Sequence, residues 1–312
     1  MAPTIVYVHG NGNKVREQLL KRQWDEALFG TDMETSSRMA YWARLRYPAP
    51  LPDPALDDAE ELPVSPLEEA APPAAKPAEA FIAATVLEAR EEAALTAPLE
   101  RADAPEGLPD AKPLEEWLRA MTYTADALAE GESAAPPPAS PFEALPFPRP
   151  LRTLTFRELV KRTFKDVYAY FFAGLGEPIR EVLRSALSGI DGPVVVLGHS
   201  LGSIIAYDVL REQRSASLEV PLLVTVGSPL GVTEVQDLVS RPLVVPAEVA
   251  AWRNASDARD LVAMDHTIRP EYAPAEKCTD FFVTNDSSNH HGIREYLRSV
   301  PIRKTLLQLF RQ

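Results

Sequence analysis

The segment Val194-Val-Val-Leu-Gly-His-Ser-Leu-Gly202 concentrates the chemistry of this sequence. Four apolar residues of strand character run into Gly198-His199-Ser200-Leu201-Gly202, and a helix-forming stretch follows. This is the G-x-S-x-G pattern in the strand–turn–helix context that gives it meaning. A serine on such a turn is lifted above the sheet edge at the start of a helix, where its hydroxyl can attack an acyl carbonyl. Side chains at the flanking positions would collide with the neighbouring strand and helix, which accounts for Gly198 and Gly202. The amide of Leu201, at the positive end of the helix dipole, is suited to stabilising an oxyanion.

A serine hydroxyl is a weak nucleophile and needs an adjacent base, usually histidine. Of the five histidines, His199 lies inside the turn, His9 lies in the first loop, and His266 reads as a surface or structural residue. Chain order Ser, acid, His places the base after the last strand, at His290 or His291, with His291 preferred. The acid belongs after the preceding strand, where Asp257 and Asp260 both qualify and spacing does not choose between them. Either aspartate has an ordinary alternative role, capping a helix or pairing with Arg253 or Arg259.

A second oxyanion donor is expected from the loop His9-Gly10-Asn11-Gly12-Asn13, with the amide of Asn11 first and that of Gly12 as the alternate. The same loop does not have the G-x-x-x-x-G-K-[ST] spacing of a phosphate loop, and a Rossmann fingerprint lacks its third glycine. No His/Cys/Asp cluster has metal-site spacing. No cofactor and no metal is therefore expected.

These residues need a frame. Thr4 to Val8 predicts a buried strand, Lys14 to Phe29 a helix stopped by Gly30, and the aromatic, alternating Met39 to Tyr47 a second strand. Helices are predicted over Thr155 to Ala173, Pro178 to Leu187 and Ser203 to Arg211. Further strands are predicted over Pro193 to Leu197, Leu222 to Gly227, around Trp252 and over Cys278 to Thr284. Ile293 to Phe310 predicts a closing helix. Strands alternating with helices imply an α/β fold with a mostly parallel sheet covered by helices.

Between Pro48 and Pro150 the composition changes. That stretch holds 20 of the 30 prolines and carries a charge of about −15 of the chain's −13, leaving the rest slightly positive. Proline removes backbone donors and ends helices, so residues 48–150 read as an Ala/Pro/Glu-rich insertion into a core of residues 1–47 and 151–312. Within it, Ala78 to Leu95 and Leu114 to Ala129 have helical character. Such a segment is either a loosely structured surface insertion or a lid. Phe142, Leu145 and Phe147, with Phe171 and Phe172, are candidates for an apolar acyl site or for core.

The acidic balance argues against a nucleic-acid partner. A single cysteine, Cys278, forms no intramolecular disulfide. No cleavable leader and no apolar run near the ~20 residues of a membrane span is seen. The expectation is a cytoplasmic protein, with secretion by a signal-less route and transient contact with a membrane surface left open.

Taken together, His9-Gly10-Asn11-Gly12-Asn13, Gly198-His199-Ser200-Leu201-Gly202, Val226-Gly227-Ser228-Pro229-Leu230 and Trp252-Arg-Asn-Ala-Ser-Asp-Ala-Arg-Asp-Leu-Val262 resemble bacterial α/β-hydrolases of the lipase/esterase kind. The resemblance covers Thr4 to Tyr47 and Thr155 to Leu297. It implies the α/β-hydrolase fold and a Ser-His-Asp triad acting on an ester. It carries the acid onto Asp260 and, through His291-Gly-Ile-Arg-Glu-Tyr-Leu297, the base onto His291. The insertion has no counterpart in it. The expected activity is hydrolysis of a carboxylic ester, of lipid or small-molecule type, through an acyl-Ser200 intermediate. The competing expectation is a non-catalytic scaffold whose acidic insertion binds a protein partner.

Overall fold

In a computed structural model of the chain, three β-branched runs form the middle of one six-stranded sheet in which every pairing is parallel. The structure describes residues 3–53, 80, 82–84, 86–87, 115–116, 119, 165–212, 218–260, 262–263, 265–287 and 289–311. The strands are β1 (Thr4–Val8), β2 (Ser37–Ala40), β3 (Val194–His199), β4 (Leu222–Val226), β5 (Trp252–Ser256) and β6 (Cys278–Phe282). Their order across the sheet is β2-β1-β3-β4-β5-β6. The helices with both ends among the described residues include α1 (Glu17–Phe29), α2 (Gly176–Leu187), α3 (Leu201–Glu212), α4 (Thr233–Gln236), α5 (Ile293–Arg298) and α6 (Val300–Phe310).

Parallel strands buried on both faces read as continuous apolar runs, and Val194-Val-Val-Leu197 is such a run, wholly buried. In-register neighbours share a face. Ile5, Tyr7, Val195, Leu197, Val224, Val226 and Ala255 line one face and pack with Leu20 and Trp24 of α1, Tyr296 of α5, and Ile302 and Leu306 of α6. The opposite face carries Leu223 and, paired with it, Trp252. The Trp252 indole stacks on Tyr207 of α3 at 5.7 Å between ring centroids. Each fully buried Val, Leu or Ile contributes roughly 1.5–3 kcal/mol, so this sandwich of helices on a sheet is the main source of stability.

The chain divides into two compact units, Met1–Leu62 with Pro178–Gln312, and Pro63–Glu177. The sheet belongs wholly to the first. Of the two helical windows expected in the insertion, residues 80, 82–84, 86–87, 115–116 and 119 are described and helical; the other residues of both windows lie outside the described ones, as do Phe142, Leu145 and Phe147. Residues 165–171 are helical, and the rest of the helix expected to start at Thr155 lies outside the described residues. Within the second unit the Phe171 ring meets Tyr170 edge-on and Phe172 stacks with Tyr168.

Three elements differ from expectation for local reasons. The second strand is Ser37–Ala40, not Met39 to Tyr47, and a 3₁₀ turn occupies Ala43–Leu45. The N–H groups of Trp42 and Ala43 donate to the His9 ring instead of continuing a ladder. Helix α1 begins at Glu17 because Lys14 is already engaged: its N–H donates to Asn13 Oδ1 and its carbonyl accepts from Leu51. The closing helix is two helices, broken at Ser299, which precedes Val300-Pro301 at the start of α6. Proline at the first turn suits a new helix and cannot extend an old one. Gly30 stops α1 as expected, with φ 84°.

Helix α1 is pinned to the sheet by a buried carboxylate. Asp25 accepts from Tyr7 Oη of β1 (2.9 Å), Ser37 Oγ of β2 (2.7 Å), Lys21 Nζ (2.7 Å) and the Met33 N–H (3.1 Å). Removing one member of a buried charged network strands the others. Asp25→Ala should therefore lower the unfolding free energy by about 3 kcal/mol in a urea titration. A change below about 1 kcal/mol would show that the network does not anchor α1.

Candidate active site

The strand order reverses at β1. The chain leaves β1 for β2 on one side and returns to β3 on the other. In an open parallel sheet this leaves a crevice beyond the carboxyl ends of the two strands. Val8, the last residue of β1, pairs with Gly198, so the His9–Asn13 loop and the Ser200 turn leave the sheet side by side.

Ser200 has φ 53°, in the left-handed region that a residue with a Cβ rarely occupies. The turn is tied down on every side. Its N–H donates to the Val226 carbonyl (3.2 Å), and its own carbonyl accepts from the Ser203 N–H (2.9 Å) and the Ser203 hydroxyl (2.5 Å). A hydroxyl bond of 2.7 Å joins Ser203 to Ser228, whose oxygen also accepts from the Leu230 N–H. The two glycines are steric necessities: a Cβ on Gly198 would lie 2.6 Å from the Gly202 carbonyl oxygen, and one on Gly202 would lie 2.1 Å from that of Val8. Leu201 opens α3, and its N–H therefore has no intrahelical acceptor.

Of the two candidate histidines and two candidate acids, the structure brings one of each together. His291 Nδ1 meets Asp260 Oδ2 at 2.8 Å, and both side chains are fully buried. The proton on Nδ1 points at the carboxylate, which leaves the lone pair on Nε2. The same Oδ2 accepts from Tyr296 Oη at 2.5 Å, and Oδ1 accepts from the N–H groups of Val262 (2.9 Å) and Ala263 (3.3 Å). Burial alone would raise the pKa of this carboxyl. The adjoining His291, the Tyr296 hydroxyl and the backbone donors outweigh burial and hold Asp260 below its ordinary value.

The alternates are engaged elsewhere. Asp257 takes the guanidinium of Arg259 through both oxygens and caps the N–H groups of Arg259 and Asn285. Arg253, the other partner considered for it, donates to Thr279. His290, with φ 58°, donates from Nδ1 to the Asn285 carbonyl. His266 sits edge-on to Phe282, and its pKa is lowered by burial.

Several residues around the site were not singled out from sequence. His199 donates from Nε2 to the His291 carbonyl (2.9 Å), and the two rings lie 4.5 Å apart. Gly227, with φ 53°, leaves the space that the His291 ring fills; a Cβ there would lie 2.8 Å from Nδ1. Asn285 donates to the Gly292 carbonyl and accepts from Ser287, while Asn289 accepts from the His291 N–H, so two short amide side chains shape the histidine loop. Asn-rich loops between a strand and a helix are the available sequence signal for this kind of turn chemistry.

The first loop is equally ordered. His9 stacks on Trp42 at 4.5 Å. Its Nε2 accepts two backbone N–H groups, so Nδ1 carries the proton and donates to the Gly10 carbonyl (2.9 Å). Lys14, buried, donates from Nζ to the Asn11 carbonyl (2.6 Å). Because peptides are planar and trans, holding the carbonyl of Gly10 also sets where the Asn11 N–H points, and holding that of Asn11 does the same for Gly12. The Asn11 side chain is buried, with Nδ2 3.4 Å from Ser200 Oγ.

Compared with known proteins, the chain matches no protein-family model and no curated protein sequence. Among the described residues, no group of three or more His, Cys, Asp or Glu is placed to hold a metal ion, and no helix is long and apolar enough to cross a membrane.

The buried imidazoles set an acid limit on stability. His9 and His199 have pKa values well below normal, first through burial and then through nearby positive charge, from Lys14 at His9 and from His291 and Lys14 at His199. In the unfolded chain both protonate near pH ~6.5. The folded values are depressed, so the unfolded state binds more protons as pH falls, and stability is full above about pH 6.5 and lost below it. Asp260 and Asp257, also depressed, add a loss that starts near the ordinary carboxylate range. Melting temperature should be level from pH ~7 to 8 and drop by about 5 °C or more by pH ~5. A level melting temperature down to pH 5 would contradict two neutral buried imidazoles.

Proposed function

We propose that this chain is a serine hydrolase of the α/β-hydrolase type that cleaves carboxylic esters. The observation that carries the reading is the buried Asp260–His291 pair, lodged against Gly227 and His199 beside the strained Ser200 turn. A carboxylate that fixes the Nδ1 proton makes Nε2 a base, and the base stabilised in its protonated form is what an alcohol nucleophile requires.

In this mechanism Ser200 Oγ adds to the ester carbon as His291 Nε2 takes the hydroxyl proton. The carbonyl electron pair moves onto oxygen, where the N–H groups of Leu201 and of the Asn11–Gly12 loop receive it. The intermediate collapses, the alkoxide departs with the proton from His291, and acyl-Ser200 remains. Water then adds to the acyl carbon by the same route and releases the acid. Asp260 stays ionised throughout, held there by its four hydrogen bonds. Lipid esters, small soluble esters and thioesters all fit this chemistry.

The test is labelling of the purified protein with a fluorophosphonate probe, alongside hydrolysis of p-nitrophenyl esters of graded chain length. Wild type should label and turn over, and Ser200→Ala should do neither while melting normally. Asp260→Asn should lose about 10⁴-fold in kcat. Asp257→Asn should melt lower, having lost half of its Arg259 pairing, with kcat within a few-fold of wild type. Folded wild type that neither labels nor hydrolyses any ester would replace this reading with a non-catalytic scaffold.

A further inference from the structure

We propose that the side-chain amide of Asn11 is a further catalytic group, an oxyanion donor in addition to the backbone amides. The inference rests on the ester-hydrolase reading above and adds a residue to its machinery. Asn11 is 3% exposed. Its Nδ2 has one polar contact among the described residues, with Ser200 Oγ at 3.4 Å, and its Oδ1 has none.

That pattern does not suit a residue kept for loop stability. Asn13, two positions on, spends both ends of its amide on the loop: Oδ1 accepts from the Lys14 N–H and Nδ2 donates to the Ala49 carbonyl. The backbone on either side of Asn11 is already fixed by His9 at the Gly10 carbonyl and by Lys14 at the Asn11 carbonyl. Burying an amide whose oxygen has no partner is unfavourable. What its nitrogen faces is the reacting atom.

A donor 3.4 Å from Oγ makes a long hydrogen bond in the free protein. When Oγ bonds to the acyl carbon, the carbonyl oxygen that gains charge is attached to that same carbon, two bonds from Oγ. An N–H aimed at Oγ then closes on the oxyanion to the roughly 2.7–3.1 Å at which such donors act. Asn11 transfers no proton. It meets charge that exists only in the transition state, so its loss falls on kcat and not on KM. Lys14 holds the carbonyl of the same residue and keeps the amide in place.

The experiment compares wild type, Asn11→Ala and Asn11→Asp in p-nitrophenyl ester hydrolysis, fluorophosphonate labelling rate and affinity for phenylboronic acid, which forms a tetrahedral adduct on an active serine. Asn11→Ala keeps the backbone N–H, so any loss belongs to the side chain. We expect kcat to fall about 10²–10³-fold, KM to stay within about 3-fold, and phenylboronic acid to bind correspondingly weaker. Asn11→Asp, the same shape with the donor replaced by an anion, should lose at least as much and serves if the alanine variant does not fold. Active wild type with either folded variant within about 3-fold of it in kcat overturns the inference alone. Inert, folded wild type overturns the ester-hydrolase reading and this inference with it.

Discussion

The architecture of the site depends on how closely the first turn of α3 approaches the end of β1. Gly202 lies so near the Val8 and His9 carbonyls that a single added carbon would come within 2.1 Å and 2.6 Å of their oxygens. That approach brings the Ser200 turn against the His9–Asn13 loop. It also forces the chain to reverse within very few residues between β3 and α3, which is why Ser200 takes a φ that only glycine adopts freely. Strain of this kind persists only where the surroundings over-determine it. Here the restraint comes from β4 through the Val226 carbonyl, and from a hydroxyl chain running Ser228 to Ser203 to the Ser200 carbonyl.

Histidine serves three different physical purposes around this crevice. His9 is a structural connector: stacked on Trp42, it accepts two N–H groups and donates to the Gly10 carbonyl, ending β2 and setting the loop with one ring. His199 supports the backbone of His291. Among the described residues, His291 alone of these three is paired to a carboxylate. An imidazole hydrogen-bonded to backbone carbonyls and amides has no reason to charge, whereas one facing an ionised carboxylate is ready to do so.

The sheet and the serine turn were legible because their signals are local. A buried parallel strand is a continuous apolar run, and Gly198 and Gly202 flank the serine for steric reasons visible in the pattern itself. The choice between Asp257 and Asp260 was not legible from spacing, since both lie in one loop after β5. What separates them is the direction each side chain takes once Arg259 folds back on Asp257 and Tyr296 arrives from α5. Those contacts span up to 36 residues of sequence and leave no periodic trace. The second strand was overdrawn for a related reason. Tyr41 and Trp42 have strand character, but a side chain 33 residues earlier takes the Trp42 N–H that a ladder would have used. Gly227 was quoted within a motif, yet its purpose, leaving room for a ring 64 positions on, exists only in three dimensions.

The distribution of charge favours chemistry in which negative charge appears and disappears. Asp260 is buried and ionised, and its oxygens are occupied by the His291 ring, the Tyr296 hydroxyl and two backbone donors. The loop after β1 contains Lys14, buried, with its ammonium bonded to the Asn11 carbonyl. Burial depresses the pKa of His9 and His199, and the Lys14 charge adds to it, next in size at His9 and behind His291 at His199. The same potential that discourages a proton on those rings stabilises an anion beside them. Burial of Lys14 and of both rings strengthens that effect, because low-dielectric surroundings screen charge less. In the reaction we propose, a carboxylate on His291 and an ammonium on the Asn11 carbonyl would favour the same change, a proton leaving Ser200 and charge collecting on an acyl oxygen.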